Sequence, residues 1–173
     1  KDVADQFFKL NDVEKLMQEF SFTKNSIILL EIMAKSNRYK DILLSDYVSE
    51  LDYKITKQFA AITFWLSDGS IFISYRGTDD TILGWKEDFN LSTGVVPAQK
   101  RAIEYLQKIS EHTDGMLRVG GHSKGGNLAI YGSVMCKSAH EKILEIYSND
   151  GPGFSREFQE LPETKEMMPK IIR

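Results

Sequence analysis

The hexapeptide Gly121-His122-Ser123-Lys124-Gly125-Gly126 constrains this chain more than any other stretch. It has the G-x-S-x-G form, and its surroundings decide what that form means. The apolar run Met116-Leu117-Arg118-Val119 precedes it, and Asn127-Leu128-Ala129-Ile130-Tyr131 follows. The pattern changes from strand-like to helix-like across the serine. A strand, a sharp turn and a helix in that order lift Ser123 clear of a sheet edge. Gly121 and Gly125 leave room for the backbone to pass. This reads as a nucleophile elbow; an ordinary Gly-rich turn is the alternative. In the first reading Ser123 is the nucleophile. The amide of Lys124, at a helix N-terminus, can then donate to a developing oxyanion. The Gly-Lys pair does not make a phosphate loop, because no G-x-x-x-x-G-K-[ST] string is present.

The rest of the chain supplies strands and helices around that turn. Residues 59–66 and 71–75 read as two strands joined by Ser67-Asp68-Gly69-Ser70, a hairpin signal. Pro97 suits the first turn of a helix to about residue 110, with Ala98, Ala102, Ile103, Leu106 and Ile109 apolar. Residues 116–120 and 143–148 read as strands, with a helix over 124–137 between them. Residues 81–91 are partly helical, and 154–161 form a short helix. Nearer the start, 11–20 reads as a helix with Val13, Leu16, Met17 and Phe20 on one face. Thr23 can cap a second helix with Ile27, Leu30, Ile32 and Met33 facing inward. The Phe7-Phe8 pair reads as core or a contact at the chain's end. Residues 37–52 show no single period. Alternating strands and helices after residue 70 predict an α/β fold, a mainly parallel sheet flanked by helices. One domain over 1–173 is expected, with a helical segment over 1–50 and the core over 55–160.

Composition excludes several classes. A net charge of −3 gives no reason to expect nucleic acid or an anionic membrane. A single cysteine, Cys136, excludes an internal disulfide and a cysteine cluster for zinc. It reads as a small packed residue. Asp79, Asp80, Glu87 and Asp88 lack the spacing and histidine of a metal site, so neither metal nor cofactor is implied. The longest apolar run, Ile27-Ile28-Leu29-Leu30, is far short of the roughly 20 residues of a membrane span. The acidic residues after Lys1 do not suit a secretory signal, and a cytoplasmic location is expected. Oligomeric state is not encoded in any pattern here.

A second oxyanion donor must come from another loop. Tyr75-Arg76-Gly77-Thr78 follows a strand, where α/β sites collect, and Thr78 offers an amide and a hydroxyl. Together with Trp85 and the elbow, this loop resembles class 3 lipases, an α/β-hydrolase family. In that family the residue at Thr78 supplies an oxyanion donor and the residue at Ser123 is the nucleophile. Four strings resemble a group of uncharacterised bacterial hydrolase-like proteins of the same superfamily: Tyr-Arg-Gly-Thr-Asp-Asp-Thr at 75–81, Gly-Trp-Lys-Glu-Asp-Phe-Asn at 84–90, Gly-His-Ser-Lys-Gly-Gly-Asn-Leu-Ala at 121–129 and Asn-Asp-Gly-Pro-Gly-Phe at 149–154. The resemblance covers roughly 55–160 and implies hydrolysis of a lipid or other small-molecule ester. It carries no defined substrate.

The triad is incomplete in sequence. Its order in this fold is Ser, acid, His. Asp150 follows a strand and is the acid in a suitable place. His140, the only histidine after Ser123, precedes it. His112 falls before the elbow strand and reads as exposed. His122 is the variable elbow residue, a packed ring or a substrate contact. Trp85 and Phe89 read as a hydrophobic rim over an acyl pocket or as a packing face. By analogy with class 3 lipases, acid and histidine both lie beyond Arg173, and Asp150 is then a structural carboxylate. A C-terminally truncated hydrolase is expected; the rival is a pseudo-hydrolase that keeps the elbow and binds without catalysis.

Overall fold

The computed structural model describes residues 1–18, 24–79, 82–91 and 94–173. Contacts divide it into two compact units, Lys1–Leu43 and Leu44–Arg173. The first holds α1 (Asp2–Leu10), α2 (Val13–Gln18) and α3 (Lys24–Lys35). Within it α1 packs on α3, and the terminal ammonium donates to the Lys40 carbonyl at 2.8 Å. α1 is a helix that the sequence reading did not assign, although Val3, Ala4, Phe7 and Phe8 recur at helical spacing; its one buried side chain is Ala4. Phe7 and Phe8 meet edge to face, with ring centroids 5.4 Å apart. Ile27, Leu30 and Met33 are half-buried, but Ile32 is exposed, contrary to expectation. Phe20 and the Thr23 cap lie outside the described residues.

The second unit is built on one six-stranded sheet in the order β1 (Leu43–Asp52), β2 (Lys57–Trp65), β3 (Ile71–Tyr75), β4 (Leu117–His122), β5 (Ile143–Asn149) and β6 (Ile171–Ile172). β2 and β3 form the antiparallel hairpin that Asp68-Gly69 signals, and Gly69 takes φ 81° in its turn. β3, β4, β5 and β6 pair in parallel. The fold is therefore the expected α/β-hydrolase type, mainly parallel and flanked by helices. β1 fills the stretch where the sequence shows no period. Its burial alternates from Asp46 to Asp52, but the inward positions include Asp46, Glu50 and Asp52 while Tyr47 and Leu51 face out, so the alternation is not legible as apolar and polar residues.

Helices fill the crossovers. α4 (Ile82–Leu91) and α5 (Pro97–Glu111) join β3 to β4, and α6 (Lys124–Met135) joins β4 to β5. α7 (Arg156–Glu160) and α8 (Pro162–Met167) join β5 to β6. Each crossover steps one place in the same direction. Right-handed connections of that kind put their helices on one face of the sheet. Accordingly α5 packs on α6, and α6 on α8. Between sheet and helices lies the core, with Ile71, Ile73, Tyr75, Leu117, Val119, Ile143 and Ile146 against Leu106, Ile109, Leu128 and Val134. Three buried hydroxyls in it are bonded: Tyr75 donates to the Ala102 carbonyl at 2.8 Å, and Thr63 and Tyr105 share a bond of 2.8 Å. Cys136 is buried among these groups, and burial pushes its thiol pKa up. Among the described residues no helix is long and apolar enough to cross a membrane.

Candidate active site

The junction of β4 and α6 is Ser123, with φ 54° and ψ −128°. A non-glycine residue in that region is strained, and it persists only where its surroundings hold it. Here they do. The Ser123 amide donates to the Asn149 carbonyl at 2.8 Å, and its carbonyl accepts from the amides of Gly126 at 2.8 Å and Asn127 at 3.2 Å. The glycines explain how the chain passes. A Cβ on Gly121 would sit 2.5 Å from the Tyr75 carbonyl oxygen, and one on Gly125 would sit closer still. A Cβ on Gly126 would sit 2.8 Å from Ser148 Oγ. Only glycine fits at Gly121 and Gly125, so β3, β4 and α6 meet backbone to backbone under Ser123, and Gly126 is held close to β5 through Ser148.

The loop after β3 lies alongside. A Cβ on Gly77 would fall 2.8 Å from the His122 carbonyl oxygen and 3.7 Å from Ser123 Cβ. Thr78 is next along that loop. Its hydroxyl donates to Asp88 Oδ2 on α4, and its methyl lies against Gly84. A hydroxyl has one hydrogen, so in this arrangement the donor that Thr78 has left to offer is its amide. Lys124 occupies the first position of α6, where a helix leaves its amides without internal partners. Two separate segments, the loop after β3 and the start of α6, thus lie beside Ser123.

The other sequence candidates fall out differently. Asp150 stands exposed at the carboxyl end of β5 with φ 52°, one residue past Asn149, the register partner of His122. It shares the sheet edge with Ser123. His122 is exposed rather than packed, because β4 runs through it. Alternation puts it on the side of Gly120, whose added Cβ would meet Phe72 and Tyr147, away from α6. His140 is buried below the opposite edge: Nε2 faces the Val134 carbonyl at 3.0 Å and Nδ1 faces Glu166 at 3.3 Å. His112 caps α5, with Nδ1 2.7 Å from the Lys108 carbonyl. None of the three is brought to Ser123. Trp85 and Phe89 are exposed on α4, at 60% and 78%. Glu87 faces the core and pairs with Lys124, Asp88 serves Thr78, and Asp80 lies outside the described residues. Among the described residues no cluster of His, Cys, Asp and Glu is arranged to hold a metal ion.

Three residues with work at this edge escape sequence reasoning. Asn127 donates to the Pro152 carbonyl at 3.0 Å and accepts from Gln99 at 2.8 Å, tying the loop after β5 to α6 and α5. Gln58 reaches Lys124 from the start of β2. Their partners lie 25 to 66 residues away in sequence, beyond any local pattern.

The Mbeg1-like family profile matches residues 33–173. The chain belongs to the Mbeg1-like family. That match runs through the elbow, the Thr78 loop and α4, so the site geometry falls within the family's span. The family is lipase-like, which puts this chain among class 3 lipase-like α/β-hydrolases. Among solved structures it is similar to a fungal lipase determined in complex with an inhibitor, at 17% identity and a TM-score of 0.49. The likeness covers 72% of this chain and 55% of the lipase, so the Mbeg1-like chain spans about half of that protein's length. No curated protein matches it.

Proposed function

We propose that this chain is the core of a serine ester hydrolase that works through an acyl-enzyme. Ser123 Oγ attacks the acyl carbon and gives its proton to a base. The amides of Thr78 and Lys124 take the oxyanion of the tetrahedral intermediate. The alcohol leaves with a proton from the same base, and water releases the acid by the reverse sequence. The observation that carries this reading is the held strain of Ser123 at the strand-to-helix turn, with the loop after β3 packed against it.

Asp150, at the same edge, is assigned the orienting acid, and Trp85 the contact to substrate. His112, His122 and His140 are turned or bonded elsewhere, so none of the three is assigned the base. The substrate is a small-molecule or lipid ester. A single, buried cysteine supports a cytoplasmic location. The same histidine geometry favours a second reading, a pseudo-hydrolase that binds esters without turning them over.

A direct test is hydrolysis of p-nitrophenyl acetate, butyrate and octanoate by the full-length protein. Ser123→Ala lowers kcat by at least about 10³-fold with the fold retained. A folded parent that cleaves none of the three, or a Ser123→Ala variant as active as the parent, rejects the hydrolase in favour of the binding module.

A further inference from the structure

Beneath the elbow lies a group of buried charges that ester chemistry does not itself require. Lys124 directly follows Ser123, yet its side chain is fully buried. Its ammonium donates to the Gln58 carbonyl at 2.9 Å, to Gln58 Oε1, and to Glu87 Oε2 at 2.9 Å. An ammonium has three N–H donors, and each has an acceptor here. Glu87 is equally buried. It accepts from the Gln58 amide at 3.0 Å and from the Ala98 amide, in the first turn of α5, at 3.1 Å. That amide belongs to the positive end of a helix, which suits a carboxylate.

Stability alone does not account for such a pair. Buried ion pairs replaced by apolar groups of similar volume often leave a protein as stable or more so. What distinguishes this network is where its ends attach. One end is the residue whose amide flanks Ser123. Gln58 Nε2 reaches the Gly77 carbonyl at 3.5 Å, one residue before Thr78. Beside Glu87 on α4, Asp88 takes the Thr78 hydroxyl. The elbow and the Thr78 loop, whose shared contact is backbone without side chains, are therefore joined a second time through Gln58, Lys124 and Glu87.

We propose that Gln58, the Lys124 side chain and Glu87 are positioning residues that fix the spacing between the amides of Thr78 and Lys124. They touch no substrate; they hold the two donors at one separation and tie α4 to that separation. The chemical consequence rests on the serine-hydrolase reading above, whereas the geometric one does not. An internally paired network suits this task, because it adds no net charge to the site while resisting displacement.

The test uses Gln58→Leu, which keeps volume and leaves the Lys124–Glu87 pair, and Glu87→Gln as a second variant, both in the full-length protein. Amide exchange is read at Arg76 for the loop, at Ser123 and Gly126 for the elbow, and at Leu117 as a control at the other end of β4. Removal of one anchoring bond speeds exchange at the loop and the elbow together, roughly fivefold, and leaves Leu117 unchanged. With the p-nitrophenyl esters, kcat falls about 10²-fold while KM stays within about twofold, as expected for misplaced donors. A folded variant with parental kcat overturns the proposal, as does loosening of one segment without the other. Joint loosening in a protein whose parent cleaves no ester leaves the clamp standing and removes the hydrolase reading instead.

Discussion

Ser123 and Asp150 occupy equivalent places, the carboxyl ends of neighbouring parallel strands, and both take a positive φ, 54° and 52°. Their support is not equivalent. Ser123 is bonded through both its amide and its carbonyl, and three glycines let β3, β5 and α6 close on it. Asp150 is exposed, and its loop is anchored only afterwards: Gly151 packs on Ser148 and the Asn127 amide, and Asn127 holds the Pro152 carbonyl. Aspartate visits the left-handed region at modest cost, whereas serine at ψ −128° does not. The difference teaches that the fold invests its rigidity in the serine and leaves the carboxylate free to meet a partner.

The largest effect comes from breaking the better-held side. Gly125→Ala drives a methyl into the Tyr75 carbonyl and costs at least about 3 kcal/mol. In a chain of this size that lowers Tm by roughly 6 to 12 °C. A variant melting with the parent would show that the elbow is not closely packed. The opposite side is probed by Asp150→Asn, which keeps the shape and removes the charge. Its expected result is an unchanged Tm with kcat for ester hydrolysis lowered by more than about tenfold. Parental kcat would make Asp150 a turn residue and move the acid elsewhere in the protein.

The same contrast explains what could be read from sequence. The elbow is local: a strand, three glycines and a helix within one stretch of chain. So is the hairpin at Asp68-Gly69, and β3 and the start of α5 at Pro97 stand where periodicity puts them. β1 is hidden because its inward positions carry Asp46, Glu50 and Asp52 while Tyr47 and Leu51 face out, and β6 because it has two residues. The packed reading of His122 fails because β4 extends far enough to turn the ring outward. Lys124 illustrates the limit most clearly. Its amide role follows from its neighbour Ser123, but its side chain is explained by Gln58 and Glu87, 66 and 37 residues away.

The central claim is that the strain held at Ser123 serves a nucleophile. Treatment of the full-length protein with a fluorophosphonate, followed by intact mass and peptide mapping, tests it most directly. The account predicts one adduct per chain, on Ser123, absent from Ser123→Ala. A folded protein that takes up no reagent, or takes it up on another residue, contradicts it.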